Sequence, residues 1–300
     1  MSDPKDHYWS CPYIEGGLSL SYNDARACAV VQNGRGRPVL QKVQVGGSLD
    51  LDSIFRKKSE IREANQSEER YPDCRGCPRL ELRHWPRRKE TFDWIGITNY
   101  VYCNLACDYC WLTYAPYSPM KDTKNRPAQV YQVKELIDRL LSEKRILHGA
   151  VVDWGGGGEP TLNPDFDDLF HAFHRIGALQ WLHTNAVRVP KGLGQITVDE
   201  DRLRILCSLD AGSAEVYYNI KKRDRFETVV RNLHAYRDLG ARVVLKYIVV
   251  PGNATESEAR RFVDIAQEIG VATIITDVDY NAPVPTPEVL ATLRAMKVLA

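Results

Sequence analysis

Cys103-Asn104-Leu105-Ala106-Cys107-Asp108-Tyr109-Cys110 places three thiols within one short loop. Three thiolates at this spacing can hold three corners of a four-iron cluster. The rule for such clusters is four thiolates, and here no fourth Cys lies beside the loop, so something else takes the last position. A zinc loop, or thiols clustered by chance, is the alternative that spacing alone leaves standing.

Outward from this loop the chain alternates strand and helix. Apolar or β-branched runs at Phe92 to Tyr100, Ala150 to Trp154, Leu179 to Thr184, Arg204 to Leu209, Arg242 to Val250 and Val271 to Val278 predict six strands. Amphipathic helices fall between them. One starts after Asn163-Pro164, with Phe166, Leu169, Phe170 and Phe173 on one face and Gly177 as its stop; the others span Phe226 to Leu239 and Glu256 to Ile269, each followed by Gly. Repeated βα units predict an α/β fold with a parallel sheet. Six strands are too few for the usual eight-stranded barrel, whose active sites lie at the C-terminal strand ends. The run Val151-Val152-Asp153-Trp154 enters Gly155-Gly156-Gly157-Gly158-Glu159-Pro160, a strand ending in a glycine turn where backbone can approach a ligand closely.

Cys-x₃-Cys-x₂-Cys with an aromatic before the last Cys, followed one βα unit later by Gly-Gly-Glu-Pro, resembles the radical S-adenosylmethionine (SAM) enzymes. The resemblance implies a partial (β/α)6 TIM-like barrel over residues 91–300. It also implies a 4Fe-4S cluster on Cys103, Cys107 and Cys110, with the methionyl amine and carboxylate of SAM on the open iron. Cleavage of SAM to methionine and a 5′-deoxyadenosyl radical would follow. Gly157, Gly158, Glu159 and Pro160 would then bind the methionyl group, with Glu159 on the amine, and Tyr109 would stack on adenine. Asn185, after His183-Thr184, and Ser208 with Asp210 resemble the family's polar segments near SAM, and Lys246 would neutralise its carboxylate. Each has a plain alternative: Tyr109 as core packing, Asn185 as a turn residue, Asp210 as a helix cap, Lys246 as a cation reaching out of a strand end. Asp277, Asp279 and Tyr280 end the sixth strand and are candidates to meet substrate.

Cys207 suggests a second chemistry, hydrogen-atom donation as in radical epimerases. Strand alternation opposes it, because Leu206 shares the face of Ser208 while Cys207 takes the other, toward the helices.

The other four Cys residues precede the barrel. Cys11, Cys28, Cys74 and Cys77 lie around a predicted hairpin, Ser19 to Tyr22 and Ala25 to Val31 joined at Asn23-Asp24, and a helix from Leu51 to Asn65. Four thiolates in a segment of weak hydrophobic periodicity suggest a metal that holds it together. The arrangement resembles the twitch or SPASM auxiliary-cluster module of radical SAM enzymes, here at residues 1–90 instead of after the barrel. It implies a second 4Fe-4S cluster, with zinc as the alternative. Arg83-His84-Trp85-Pro86-Arg87-Arg88-Lys89 reads as a charged linker.

A net charge of +1 and 44% hydrophobic residues fit a globular enzyme and give no field for nucleic acid or membrane. The absence of an apolar leader at the first residues predicts a cytoplasmic protein with reduced thiols. The expected function is oxidative modification or rearrangement of a peptide or a sugar or nucleoside natural product. An auxiliary cluster would assist, and a partner such as flavodoxin or ferredoxin would supply electrons. A protein with clusters for accessory binding or redox sensing, without SAM turnover, is the alternative; Glu159 in its glycine turn argues against it, since a structural cluster needs no such turn.

Overall fold

The alternating runs form strands and the amphipathic segments form helices in a computed structural model that describes residues 7–29, 36–85, 90–114, 127–196, 199, 201–271, 273–279 and 286–299. In chain order the first elements are β1 (His7–Ser10), α1 (Pro12–Gly16), β2 (Gly17–Leu20), β3 (Asp24–Arg26), β4 (Val39–Lys42), α2 (Leu51–Ala64), β5 (Glu81–His84) and β6 (Phe92–Ile97). Then come α3 (Trp111–Tyr114), α4 (Val133–Ser142), β7 (Ile146–Trp154), α5 (Phe166–Arg175), β8 (Leu179–Thr184) and β9 (Leu203–Ser208). The last are α6 (Ala214–Lys221), α7 (Phe226–Asp238), β10 (Arg242–Val249), α8 (Glu256–Ile269), β11 (Thr273–Val278) and α9 (Pro287–Leu299). The six strands and three helices expected from periodicity from Phe92 onward are present, so the fold is α/β with parallel βα units; α3, α4, α6 and α9 are additional helices in that stretch.

The chain forms two compact units. One comprises Met1–Tyr100, Gln129–Gly157 and Ala172–Leu179, the other Val101–Ala128, Gly158–His171 and Gln180–Ala300. This division differs from the expected one after residue 90, and strand pairing supplies the reason: β2 lies parallel to β6, with Gly17 opposite Trp94 and Leu20 opposite Ile97.

In the first unit the strand order is β7-β6-β2-β3-β4, beside a separate β1-β5 ribbon. The hairpin forms as β2 and β3, but β3 ends at Arg26, so Cys28 lies past the second strand, where it was expected to sit. The expected linker is also corrected in part. Arg83 and His84 are in β5, and the Arg83 guanidinium lies 3.8 Å over the Trp85 ring. Residues 86–89 fall outside the described residues. Asp50 caps α2 by accepting from Ser53 N at 3.1 Å. The inner face of α2 carries Leu51, Ile54 and Ile61, and with them Lys58, whose amine donates to Gly17 O at 2.7 Å.

In the second unit the order is β11-β10-β9-β8, all parallel, with Thr184 opposite Cys207, Lys246 opposite Ser208 and Ile248 opposite Asp277. On β9 Leu203, Ile205 and Cys207 are buried while Arg204, Leu206 and Ser208 are half-buried, the alternation of a strand with two different faces. The helix layer is anchored by stripes such as Ala259, Phe262, Val263, Ala266 and Ile269 of α8. Each large side chain there stabilises the fold by about 1.5–3 kcal/mol. Thr255 caps that helix at Glu258 N, and Gly270 ends it at φ 75°, a left-handed conformation that glycine adopts without strain. The loops at the C-terminal ends of β8, β9 and β10 therefore stand side by side.

Candidate active site

The three-Cys loop lies in the second unit and is held by backbone. Ala106 N donates to Lys221 O at 3.1 Å and Asp108 N to Ile220 O at 3.0 Å, so the end of α6 grips both sides of Cys107. Cys110 N closes a turn on Cys107 O at 3.1 Å, and Thr113 N accepts the chain into α3 by donating to Cys110 O at 2.8 Å. All three thiols are half-buried. Burial pushes each of them up, Cys103 to about 12, where Glu159 and the other two thiols add to the effect. Thiols so placed ionise together only against a compensating cation, which is what an iron cluster supplies.

Cys103, Asn185 and Glu159 form one connected set. Asn185 Nδ2 donates to Asn104 Oδ1 at 2.7 Å and points at Cys103 Sγ at 3.6 Å, while its Oδ1 accepts from Val187 N at 3.0 Å. Its backbone N–H donates to Glu159 Oε2 at 2.7 Å. Glu159 Oε1 accepts from Thr161 N at 3.1 Å, Thr161 Oγ1 at 2.7 Å and Thr184 Oγ1 at 2.8 Å. Oε1 is saturated. Oε2 has one donor and keeps an acceptor position. The carboxyl is 2% exposed, burial raises its pKa, and among the described residues no Lys, Arg or His forms an ion pair with it. A buried carboxylate with hydrogen bonds but no countercharge is a place for a cation.

The rest of the Gly-Gly-Glu-Pro turn is local geometry. Gly156 sits at φ 85°, where an added Cβ would meet Thr98 Cγ2 at 3.1 Å, Gly157 is buried, and Pro160 opens a single 3₁₀ turn from Pro160 to Leu162 that Glu159 caps.

Lys246, Ser208 and His183 lie on one face of β8 to β10, with Lys246 opposite Ser208 and its amine 3.3 Å from His183 Nδ1. Cys207 is on the other face, 0% exposed, its thiol pushed up to about 12 by burial. Asp210 departs from the sequence reading. Asp210 follows the strand at φ 58°, so the alternation that aims Ser208 does not carry to it. Its Oδ1 accepts from Ile248 N at 2.7 Å, and its Oδ2 accepts from Tyr109 Oη at 2.5 Å and from Lys221 Nζ at 2.5 Å. With 0% exposure, Asp210 offers no oxygen to a ribose. Lys221 was missed. The available signal was its place with Tyr217 and Ile220 on the buried face of α6, a cation at an i, i+4 position of an apolar stripe. Asp277 is half-buried at the end of β11, and Tyr280 lies outside the described residues.

The first unit holds the second thiol set. Cys11, Cys28, Cys74 and Cys77 line one open pocket together with Tyr13 and Asp73. Cys11 caps α1, its Sγ accepting from Ile14 N at 3.4 Å; Cys77 N donates to Cys74 O at 3.0 Å. Burial pushes the Cys74 thiol up to about 12, and the other three thiols push in the same direction. Among the described residues no three of His, Cys, Asp and Glu are arranged to hold a single metal ion. No helix among them is long and apolar enough to cross a membrane.

Comparison with known proteins agrees with this geometry. The chain is 28% identical over 177 residues to the mycofactocin maturase MftC of Mycobacterium tuberculosis, covering 58% of this chain and 41% of that protein. It is 32% identical over 105 residues to the S-adenosyl-L-methionine-dependent tRNA 4-demethylwyosine synthase of Pyrococcus abyssi, covering 33% of this chain and 30% of that one. The chain thus spans less than half the length of these curated relatives. Its fold is similar to that of Streptococcus suis SuiB bound to S-adenosylmethionine, at TM-score 0.51 and 16% identity, over 86% of this chain and 51% of that one. The shared fold is the α/β one, with parallel βα units of the partial TIM-like kind. A profile of the radical SAM superfamily matches residues 99–266, which include the three-Cys loop, Glu159, Asn185 and Lys246; the chain belongs to that superfamily and is an enzyme.

Proposed function

We propose that this radical SAM enzyme oxidatively modifies or rearranges a peptide or a sugar or nucleoside natural product, with a second 4Fe-4S cluster on Cys11, Cys28, Cys74 and Cys77. The observation that carries the second cluster is the convergence of all four N-terminal thiols on one pocket. Tetrahedral zinc, with Zn–S bonds of about 2.3 Å, needs its donors crowded around a single point. The radical SAM loop in the same chain favours a 4Fe-4S cluster over zinc.

In the second unit, Cys103, Cys107 and Cys110 would hold the SAM-binding cluster. Glu159 Oε2 would take the methionyl ammonium. Gly157, Gly158 and Pro160 would shape the turn against which the methionyl group lies, Lys246 would neutralise its carboxylate, and Ser208 faces the same side for the ribose. Asn185 fixes Cys103 relative to Glu159, so that thiolate and carboxylate keep one spacing. Held in these places, the cluster and SAM would supply 5′-deoxyadenosyl radical chemistry for hydrogen-atom abstraction, and a cluster on Cys11, Cys28, Cys74 and Cys77 would supply electron-transfer capacity. The chain's own part is to orient substrate and exclude water.

The peptide class has support from relatives: one is named a mycofactocin maturase, and SuiB has been solved bound to precursor peptide SuiA. The net charge of +1 supports a substrate other than nucleic acid, and a reductant such as flavodoxin or ferredoxin would serve a cytoplasmic enzyme. Radical epimerisation by Cys207 has no supporting observation, because that thiol is fully buried on the helix side.

Iron, sulfide and zinc analysis of anaerobically reconstituted protein tests the reading. About eight irons per chain agree with two clusters. About four irons with stoichiometric zinc would refute the second cluster and leave the first intact.

A further inference from the structure

We infer that Lys221 is a positioning and redox-tuning residue for the cluster on Cys103, Cys107 and Cys110, acting through a buried set with Asp210 and Tyr109. The inference rests on the assignment of that cluster to the three-Cys loop.

A charge pair at 1% and 0% exposure is costly to bury, and an apolar pair of similar volume often stabilises a protein as well. Packing alone therefore does not account for it. Lys221 Nζ lies 2.5 Å from Asp210 Oδ2, 2.6 Å from Tyr109 Oη and 5.0 Å from the centre of the Tyr109 ring. Ile248 N fixes the carboxylate from β10. The same stretch of α6 accepts backbone hydrogen bonds from Ala106 and Asp108, the neighbours of Cys107. Tyr109 lies between the second and third cluster thiols. One lysine thus grips the loop twice, by its carbonyl and by its ammonium.

The ammonium also has a field. Tyr109, the residue between Cys107 and Cys110 in the chain, holds it beside the loop, with Nζ 2.6 Å from Tyr109 Oη. A cluster on three thiolates becomes more negative on reduction, so a fixed cation nearby in a site that excludes water favours the reduced form.

The test is an EPR-monitored redox titration of reconstituted wild type, Lys221→Arg, Lys221→Met and the Asp210→Asn/Lys221→Met double variant. The loop cluster is identified as the signal that changes on adding SAM. The double variant removes both charges without stranding one. Arg should titrate near wild type. Both Met-containing variants should show about a tenfold lower ratio of reduced to oxidised cluster at a fixed potential, which is about 59 mV for a one-electron couple. Loss of the cluster in Lys221→Met with full loading in Lys221→Arg also agrees, since the grip is then charge-dependent. Equal potentials in all loaded variants would overturn the inference, as would an Arg variant shifted as far as Met or loss of the cluster in every variant. A wild type with no SAM-sensitive signal would instead remove the underlying cluster assignment.

Discussion

Glu159→Gln changes one atom and one charge at the position where the site is most tightly specified. Gln retains a carbonyl oxygen, so the three donors on Oε1 from Thr161 and Thr184 can stay bonded. Its amide replaces Oε2, turning a donor toward Asn185 N and toward the place proposed for the methionyl ammonium. Loss of a charge-assisted hydrogen bond is worth about 1.5–3 kcal/mol. SAM should therefore bind about ten- to a hundredfold more weakly. Stability should change less, because burial already disfavours the ionised carboxyl and its removal offsets the new donor clash. The sign of the pH effect follows. A carboxyl raised above its ordinary value in the folded state makes the ligand-free protein less stable as pH rises through that raised value. A bound ammonium pulls the value back down, so SAM affinity should increase with pH over the same window in wild type and stay flat in the Gln variant. Calorimetric titration of reconstituted protein with SAM, with iron content matched, measures both. Binding within about threefold of wild type, or a retained pH dependence, would refute the role given to Glu159.

Cys207→Ala should cost about 1 kcal/mol in denaturant unfolding and leave turnover largely intact, since the thiol packs as a small apolar group; solvent deuterium on the product carbon in wild type but not in this variant would contradict that. Lys58 is held at about 7 by burial, so between about 7 and 10.5 the unfolded chain binds a proton that the folded chain lacks. Stability should rise with pH across that window by up to about 1.4 kcal/mol per pH unit, and Lys58→Met should abolish the rise; an unchanged slope would refute the burial of a neutral amine there. Cys74→Ala with Cys77→Ala should leave SAM cleavage while abolishing finished product, and full product formation would remove any need for the second cluster.

The parts of this molecule governed by short periods were legible in its sequence. β8 and the helices ending at Gly240 and Gly270 lie where alternation and capping put them, because both signals are local. The side of β9 on which Cys207 falls was legible for the same reason. What strand periodicity could not reach was the residue after the strand: Asp210 turns left-handed at φ 58° and faces a lysine from the helix that follows. Long-range pairing was equally hidden. Nothing local in Gly17–Leu20 says that it lies parallel to β6, or that Val39–Lys42 is long enough to extend the hairpin. The thiol sets were visible as spacings, whereas the convergence of Cys11 and Cys28 with Cys74 and Cys77 depends on turns that spacing does not encode.

The central claim, that the Cys103, Cys107 and Cys110 loop carries the cluster that cleaves SAM, is tested most directly by quantifying 5′-deoxyadenosine. Dithionite-reduced wild type and the Cys103→Ala/Cys107→Ala/Cys110→Ala triple variant are incubated anaerobically with SAM, and the nucleoside is measured by chromatography and mass spectrometry. Wild type should form it, and the triple variant should form none above the protein-free control. Persistent 5′-deoxyadenosine from the triple variant would contradict the account.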